Sequence, residues 1–164
     1  WAEESGENSD LKTQTKRIIE VFEKLLSYAK NYPIEKILIP FGGDFFNSDN
    51  ALDTTSAGTK MDEDTRFQKT FRAGRVLATT LIDMCSRIAP VEVLVISGNH
   101  DVSRSFYLGD ALESWFHSDP NVHINNSAKR RKYFSYGKDL LMFAHGSEEK
   151  LSSLPGIMTM EVPL

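Results

Sequence analysis

The chain has 164 residues, 40% hydrophobic and 26% charged, with a formal net charge of −4, which is the composition of one globular domain with a real core. An acidic balance advertises no general polyanion-binding surface, although metal ions in a site supply positive charge of their own. The single cysteine, Cys85, excludes an internal disulfide framework and suits a reducing, cytoplasmic setting, and no apolar run approaches a membrane span.

Residues 1–9 are polar, acidic and without period, so a loop or frayed end is expected there. From about Asp10, the residues Ile18, Ile19, Phe22, Leu25, Leu26 and Ala29 recur at helical spacing. Asp10 or Ser9 can cap the helix start, and Asn31-Tyr32-Pro33 ends it. Ile34 to Phe41 is an apolar strand that runs into Gly42-Gly43-Asp44. Taken alone, Gly-Gly-Asp is a tight turn. Residues 47 to 61 are a long polar loop, of a length that is functional or mobile in compact domains. Its acids Asp49 and Asp53 are explained as solvated side chains and receive no ligand role. A long helix is expected from about Asp62 to Ile88, with Phe67, Phe71, Gly74, Leu77, Leu81 and Met84 on its inner face. Asp62, Glu63 and Asp64 suit its positive N-terminal end, and Cys85 falls in its apolar pattern as a buried structural thiol.

Val91 to Ile96 then reads as a buried strand that ends in Ser97-Gly98-Asn99-His100-Asp101. Strand, helix, strand implies a right-handed crossover and a parallel pair, so Asp44 and Asn99 share one end of the sheet. Ligands of open α/β sheets sit outside the carboxyl ends of the strands. Phe106 to Phe116 is a short helix and Asn121 to Asn125 a short strand. His117 and His123 are lone histidines in structural settings. Ala128 to Lys132 is a basic turn, with phosphate-backbone contact the less favoured reading. Tyr133 to Tyr136 and Leu140 to Ala144 flank the turn Gly137-Lys138-Asp139, and the second strand delivers His145-Gly146. Ser147 to Leu164 read as loop.

Three strands thus end in a candidate ligand beside glycine: Asp44, Asn99 with His100, and His145. A carboxylate can bridge two cations, and an amide oxygen and an imidazole can complete the shell of one. Two such cations clamp the oxygens of a phosphoryl displacement and lower the pKa of bound water. Of the adjacent pair, one of Asn99 and His100 can face the metal and the other the substrate. His100 would then stabilise or protonate the leaving oxygen, while Asp101 orients a neighbour.

Gly43-Asp44, Gly98-Asn99-His100-Asp101 and His145-Gly146, in this order and each after a strand, resemble the calcineurin-like metallophosphoesterase superfamily. The local run around Gly-Asp-Phe-Phe-Asn and Val-Leu-Val-Ile-Ser-Gly-Asn-His-Asp is similar to its DNA repair exonuclease branch. The resemblance covers roughly the central two-thirds of the chain. It implies a four-layer α/β/β/α sandwich, of which this chain holds part. It also implies two divalent ions, manganese foremost and iron, zinc or magnesium as substitutes. Asp44 would be the bridging aspartate, Asn99 and His145 ligands of the second metal, and His100 the substrate-side histidine. The family's D-x-H block before Asp44 and its G-H-x-H block after His145 are not in the chain. The start at Trp1 and the stop at Leu164 therefore read as cut ends, with residues 1–164 a single domain incomplete at both. The expected function is two-metal hydrolysis of phosphate esters, phosphodiesters first and DNA among the candidate substrates. A phosphomonoesterase shares every named residue, and a non-catalytic scaffold that keeps the fold is the alternative of another class. No membrane partner is expected, and the oligomeric state is not readable.

Overall fold

The computed structural model describes residues 10–162, so the reading of residues 1–9, including Ser9 as a cap, lies outside the described residues. The elements follow in the order α1 (Leu11–Ala29), β1 (Ile37–Phe41), α2 (Phe67–Ser86), β2 (Val91–Val95), α3 (Val102–Phe116), β3 (Val122–Asn125), β4 (Lys132–Tyr136), β5 (Asp139–Phe143), a 3-10 turn (Leu151–Ser153) and α4 (Leu154–Glu161). The protein is mixed α/β, with a parallel sheet in the order β1-β2-β3 and a separate antiparallel pair, β4-β5.

Strand β2 is central because its side chains suit burial on both faces. Val91, Val93, Leu94 and Val95 are all buried, as expected of a parallel strand covered on two sides. In register, Ile39 lies opposite Val93, and Val93 opposite Ile124. Helix α2 buries Ala78, Ile82 and Cys85 completely, and α3 does the same with Leu112. These residues form one core cluster with Ile39, Val91 and Val93. Helix α1 has no fully buried residue. It leans on α2 and brings Phe22 and Leu26 against the core from outside. Its first turn is capped as expected, with the Asp10 carboxylate accepting from Thr13 N at 2.7 Å.

Helix α2 starts at Phe67, five residues later than expected, and its cap position has no side-chain hydrogen bond. The acids expected at its N-terminus do other work. Asp64 accepts from Leu11 N at 3.1 Å, and Glu63 accepts from Ser48 Oγ at 2.5 Å. Helix α3 starts four residues earlier than expected, directly behind Asp101. Residues 147–164 are not all loop. Pro155 sits in the first turn of α4, where proline costs no helical hydrogen bond, so Leu-Pro-Gly opens a helix here. Arg131 holds the far end of that helix through Glu161 at 2.5 Å, and Tyr133 donates to the same carboxylate at 2.6 Å. Arg131 and then Tyr133 keep that exposed carboxyl down at about 2.

The hairpin β4-β5 lies against the entry to β1. Tyr136 donates to Glu35 at 3.1 Å, and the Lys36 ammonium sits 5.5 Å from the centre of the Phe134 ring. This placement carries the residue after β5 to the carboxyl ends of β1 and β2.

Candidate metal site

The loops after β1 and β2 meet through glycine backbone. A Cβ on Gly98 would lie 2.0 Å from Asp44 Oδ1 and 2.2 Å from Asp44 N. A Cβ on Gly43 would lie 2.6 Å from the His145 Nδ1 atom and 2.9 Å from Gly98 Cα. No other residue type permits this approach. Gly43 and Asp44 both have positive φ, 85° and 51°. For aspartate the left-handed region is uncommon, and surrounding contacts must hold it there.

Asp101 supplies those contacts. It is completely buried, and its carboxylate accepts from Asp44 N at 3.1 Å, Phe46 N at 2.9 Å and Gly98 N at 3.2 Å. One carboxylate thereby fixes both loops, and charge-assisted bonds to backbone N–H groups are the strong kind. Asp44 in turn accepts from His100 N through Oδ1 at 2.9 Å, which leaves Oδ2 facing outward. His145 Nε2 lies 3.4 Å from that oxygen and 2.8 Å from Asn99 Oδ1. Its Nδ1 lies 3.2 Å from the carbonyl oxygen of Gly42. With the proton on Nε2 the ring donates to Asn99 Oδ1; binding a cation there would require the proton on Nδ1, toward the Gly42 carbonyl.

The structure thus brings Asp44, Asn99 and His145 together, with Asp101 behind them. The His100 side chain goes elsewhere, its Nδ1 lying 3.2 Å from the Asn47 carbonyl. Among the described residues no three His, Cys, Asp or Glu side chains are grouped to hold a metal; this cluster has two of them, and the Asn99 amide oxygen is the third donor. Donors sharing one six-coordinate cation at bonds of about 2.1 Å stand about 3 Å apart. The observed 2.8 and 3.4 Å bracket that value. The residues present therefore fit a divalent ion at one position.

An open cavity of about 280 Å³ faces this cluster, lined in part by Ser56, Asn99, Arg130, His145 and Glu148. The long loop contributes to it. Its Asp49 is not a free solvated acid: it accepts from Ser103 N at 2.7 Å and Arg104 N at 3.0 Å, capping α3 from outside the helix. Asp53 pairs with Lys60 at 3.4 Å. In the basic turn, Arg130 pairs with Glu148, and Arg131 with Glu149 and Glu161. His117 bonds the Ser114 carbonyl and His123 bonds Glu92, so both are structural.

Arg104 was not singled out in the sequence, and Lys132, read as part of a charged turn, is instead buried at the start of β4. Arg104 is fully buried. Its guanidinium sits 4.2 Å from the Phe46 ring centre and 4.6 Å from that of Phe67, and donates to Thr70 Oγ1 at 2.5 Å and to Ser48 O at 2.9 Å. Burial lowers its pKa, while Glu63 foremost pulls it back up. Lys132 is buried, pairs with no carboxylate among the described residues, and donates to the carbonyl and hydroxyl oxygens of Ser127; burial lowers its pKa as well. A basic residue within an otherwise unremarkable run carries no signal of burial.

No protein-family model matches this chain, and no curated protein or solved structure matches it either. Among the described residues, no helix is long and apolar enough to cross a membrane.

Proposed function

We propose that the chain belongs to a metal-dependent phosphoric ester hydrolase with the four-layer metallophosphoesterase architecture, acting on phosphodiesters. The single observation that carries this reading is that Asn99 Oδ1 at 2.8 Å and Asp44 Oδ2 at 3.4 Å, from two strand ends, both approach His145 Nε2 from a third. Divalent ions bound there, manganese foremost, would neutralise charge on a phosphate oxygen and acidify water.

The chain's own residues have separable tasks in this reading. Asp44, Asn99 and His145 hold the cation. Asp101 holds the Asp44 loop in its left-handed conformation. The Gly42 carbonyl takes the His145 Nδ1 proton that cation binding requires. His100 bonds Asp44 through its backbone N–H while its ring turns to the Asn47 carbonyl, and to give a proton to the leaving oxygen that ring would have to turn toward the donors. A second cation, with Asp44 as the bridge, rests on the family resemblance.

The test is manganese binding by calorimetry together with manganese-dependent hydrolysis of bis(4-nitrophenyl) phosphate, with Asp44→Ala as control. Hydrolysis that disappears in the control supports the enzyme. A folded protein that neither binds the ion nor hydrolyses the ester overturns it in favour of a scaffold.

A further inference from the structure

Helix α1 carries more apolar surface than the core takes from it. Phe22 and Leu26 pack against the core cluster, and Ile19 lines the groove toward α2. A second stripe, Ile18, Val21, Leu25 and Tyr28, faces solvent, and so does Tyr32 in the turn that follows; the five are 39% to 69% exposed. The chain keeps winding into that turn, with Tyr32 N donating to the Ala29 carbonyl at 3.0 Å. Single exposed apolar side chains are ordinary on a protein surface. These are not scattered, because the intervals between them are three, four, three and four residues, the spacing of the a/d seam of a coiled coil. Lys16, Glu20, Glu23 and Ser27 take the remaining arc of the helix. An inward face alone does not require an apolar arc this wide.

Period, area and charge together choose the occupant. A seam of period 3.5 is matched by another helix, not by a loop or a flat sheet. The five side chains expose on the order of 600 Å² in all, the upper end for an apolar patch on a monomer. Two such stripes facing each other would bury about 1,200 Å², where specific interfaces begin. The flank of the seam, at the g positions, carries Arg17 and Lys24. Antiparallel self-pairing sets these cations against their own copies, which is repulsive. Parallel pairing sets each against an e position instead, Arg17 across from Phe22 of the partner subunit and Lys24 across from Ala29 of the partner subunit. A second copy in parallel therefore fills the seam with no like charges opposed, and leaves the Tyr28 hydroxyls at the rim, where water reaches them.

We propose that α1 is a dimerisation helix: two copies of this chain dock through Ile18, Val21, Leu25, Tyr28 and Tyr32, side by side and parallel, about a two-fold axis along the seam. Such a pair closes on itself, so the assembly stops at two. The inference does not rest on the phosphoesterase reading.

Sedimentation equilibrium of the chain between about 1 and 200 μM should show one monomer–dimer equilibrium, with a dissociation constant on the order of 10 μM for an interface of this size. Leu25→Glu puts a charge in the middle layer of both copies and should weaken the dimer about a hundred-fold or more, the loss counting twice by symmetry. Leu52→Glu, at a more exposed apolar position in the long loop, should leave the dimer unchanged. Leu25 is exposed, so its variant should keep the circular dichroism and the urea midpoint of the unaltered monomer. Orientation is read with Val21→Cys. Cys85 is completely buried, and parallel pairing brings the two introduced thiols into one layer within disulfide reach. Oxidation with diamide should therefore convert this variant to a covalent dimer, while Ser27→Cys, on the solvent arc, stays a monomer. A monomer at every concentration hands the stripe to a different protein and overturns the proposal. So do a dimer that survives Leu25→Glu, assembly beyond two copies, and failure of Val21→Cys to cross-link.

Discussion

Asp101 and Phe46 are 55 residues apart in the chain, yet the Asp101 carboxylate accepts the Phe46 N–H at 2.9 Å in a completely buried position. The same carboxylate takes the N–H groups of Asp44 and Gly98, so one side chain ties the β1 loop to the β2 loop through three hydrogen bonds. Removing it leaves three amides, two of them in buried bonds, short of an acceptor. Asp101→Ala should therefore destabilise the fold by about 3 kcal/mol, read as a lower urea midpoint at unchanged slope. Asp101→Asn keeps one acceptor oxygen and should cost less, while weakening manganese binding because Asp44 is no longer held.

The contact between loops is equally specific at Gly98. A methyl group there meets Asp44 Oδ1 at 2.0 Å, and that oxygen is held by the His100 N–H while Asp101 holds the Asp44 backbone N–H. Gly98→Ala should reduce manganese affinity at least ten-fold in calorimetry while circular dichroism of the helices is unchanged. Gly137, at a hairpin turn with open space around its Cβ position, is the control: its substitution should leave affinity unaltered.

Asp44 and His100, joined by a backbone N–H bond, have different tasks, and their variants should separate. Asp44→Ala removes a cation ligand and should abolish both manganese binding and metal-dependent hydrolysis. His100→Ala keeps the backbone N–H that bonds Asp44, so metal binding should persist while the rate falls about a hundred-fold or more, the ordinary worth of a general acid. Equal loss of metal from both variants would sink this division.

Much of this arrangement was readable before folding, for reasons that differ by residue. Asp44, Asn99 and His145 were visible because a short apolar run followed by glycine and a polar residue is a local signal. The parallel pairing of β1 with β2 followed from the intervening helix. The pairing of β4 with β5 followed from their turn. Helix starts were less legible. Asp62, Glu63 and Asp64 look like an N-terminal cluster, but Glu63 is taken by Ser48 and Arg104 and Asp64 by Leu11. The cap of α3 comes from Asp49, 54 residues before Ser103, which no local pattern shows. Burial of Arg104 needs Phe46, Phe67 and Thr70 from two other segments. Partners so far apart in the chain are decided by tertiary packing.

That same Arg104 gives a stability prediction. It is 0% exposed at the side chain and lies 3.7 Å from Glu63 Oε1, itself only 9% exposed. Arg104→Ala leaves a nearly buried carboxylate without its cation and empties the space between two aromatic rings. Loss of one partner from a buried pair typically costs about 3–5 kcal/mol, and that range is expected in denaturant unfolding. Adding Glu63→Gln should recover part of the loss, giving a coupling energy of about 1 kcal/mol or more in a double-mutant cycle. Additive effects would show that the aromatic packing, rather than the charge pair, carries Arg104.

Stability at high pH depends on Cys85, which has no exposed surface. Burial pushes its thiol from 9.0 up to about 11. Below pH 9 the thiol is neutral in both folded and unfolded chains and contributes no pH dependence. As the pH rises past 9, the unfolded chain releases the proton and the folded one retains it, so unfolding becomes easier. The loss grows until the folded thiol also ionises and levels off above about 11, at roughly 3 kcal/mol for a shift of this size. Lys132, with its pKa lowered by burial, acts in the opposite direction, since its unfolded form then holds the extra proton. Comparison with Cys85→Ala cancels that contribution and every other titration. The variant should be less stable at pH 7 because a buried side chain is trimmed, but its urea midpoint should fall less steeply than that of the unaltered protein between pH 9 and 11. Parallel curves across that interval would mean that the thiol ionises as readily in the folded chain as in the unfolded one.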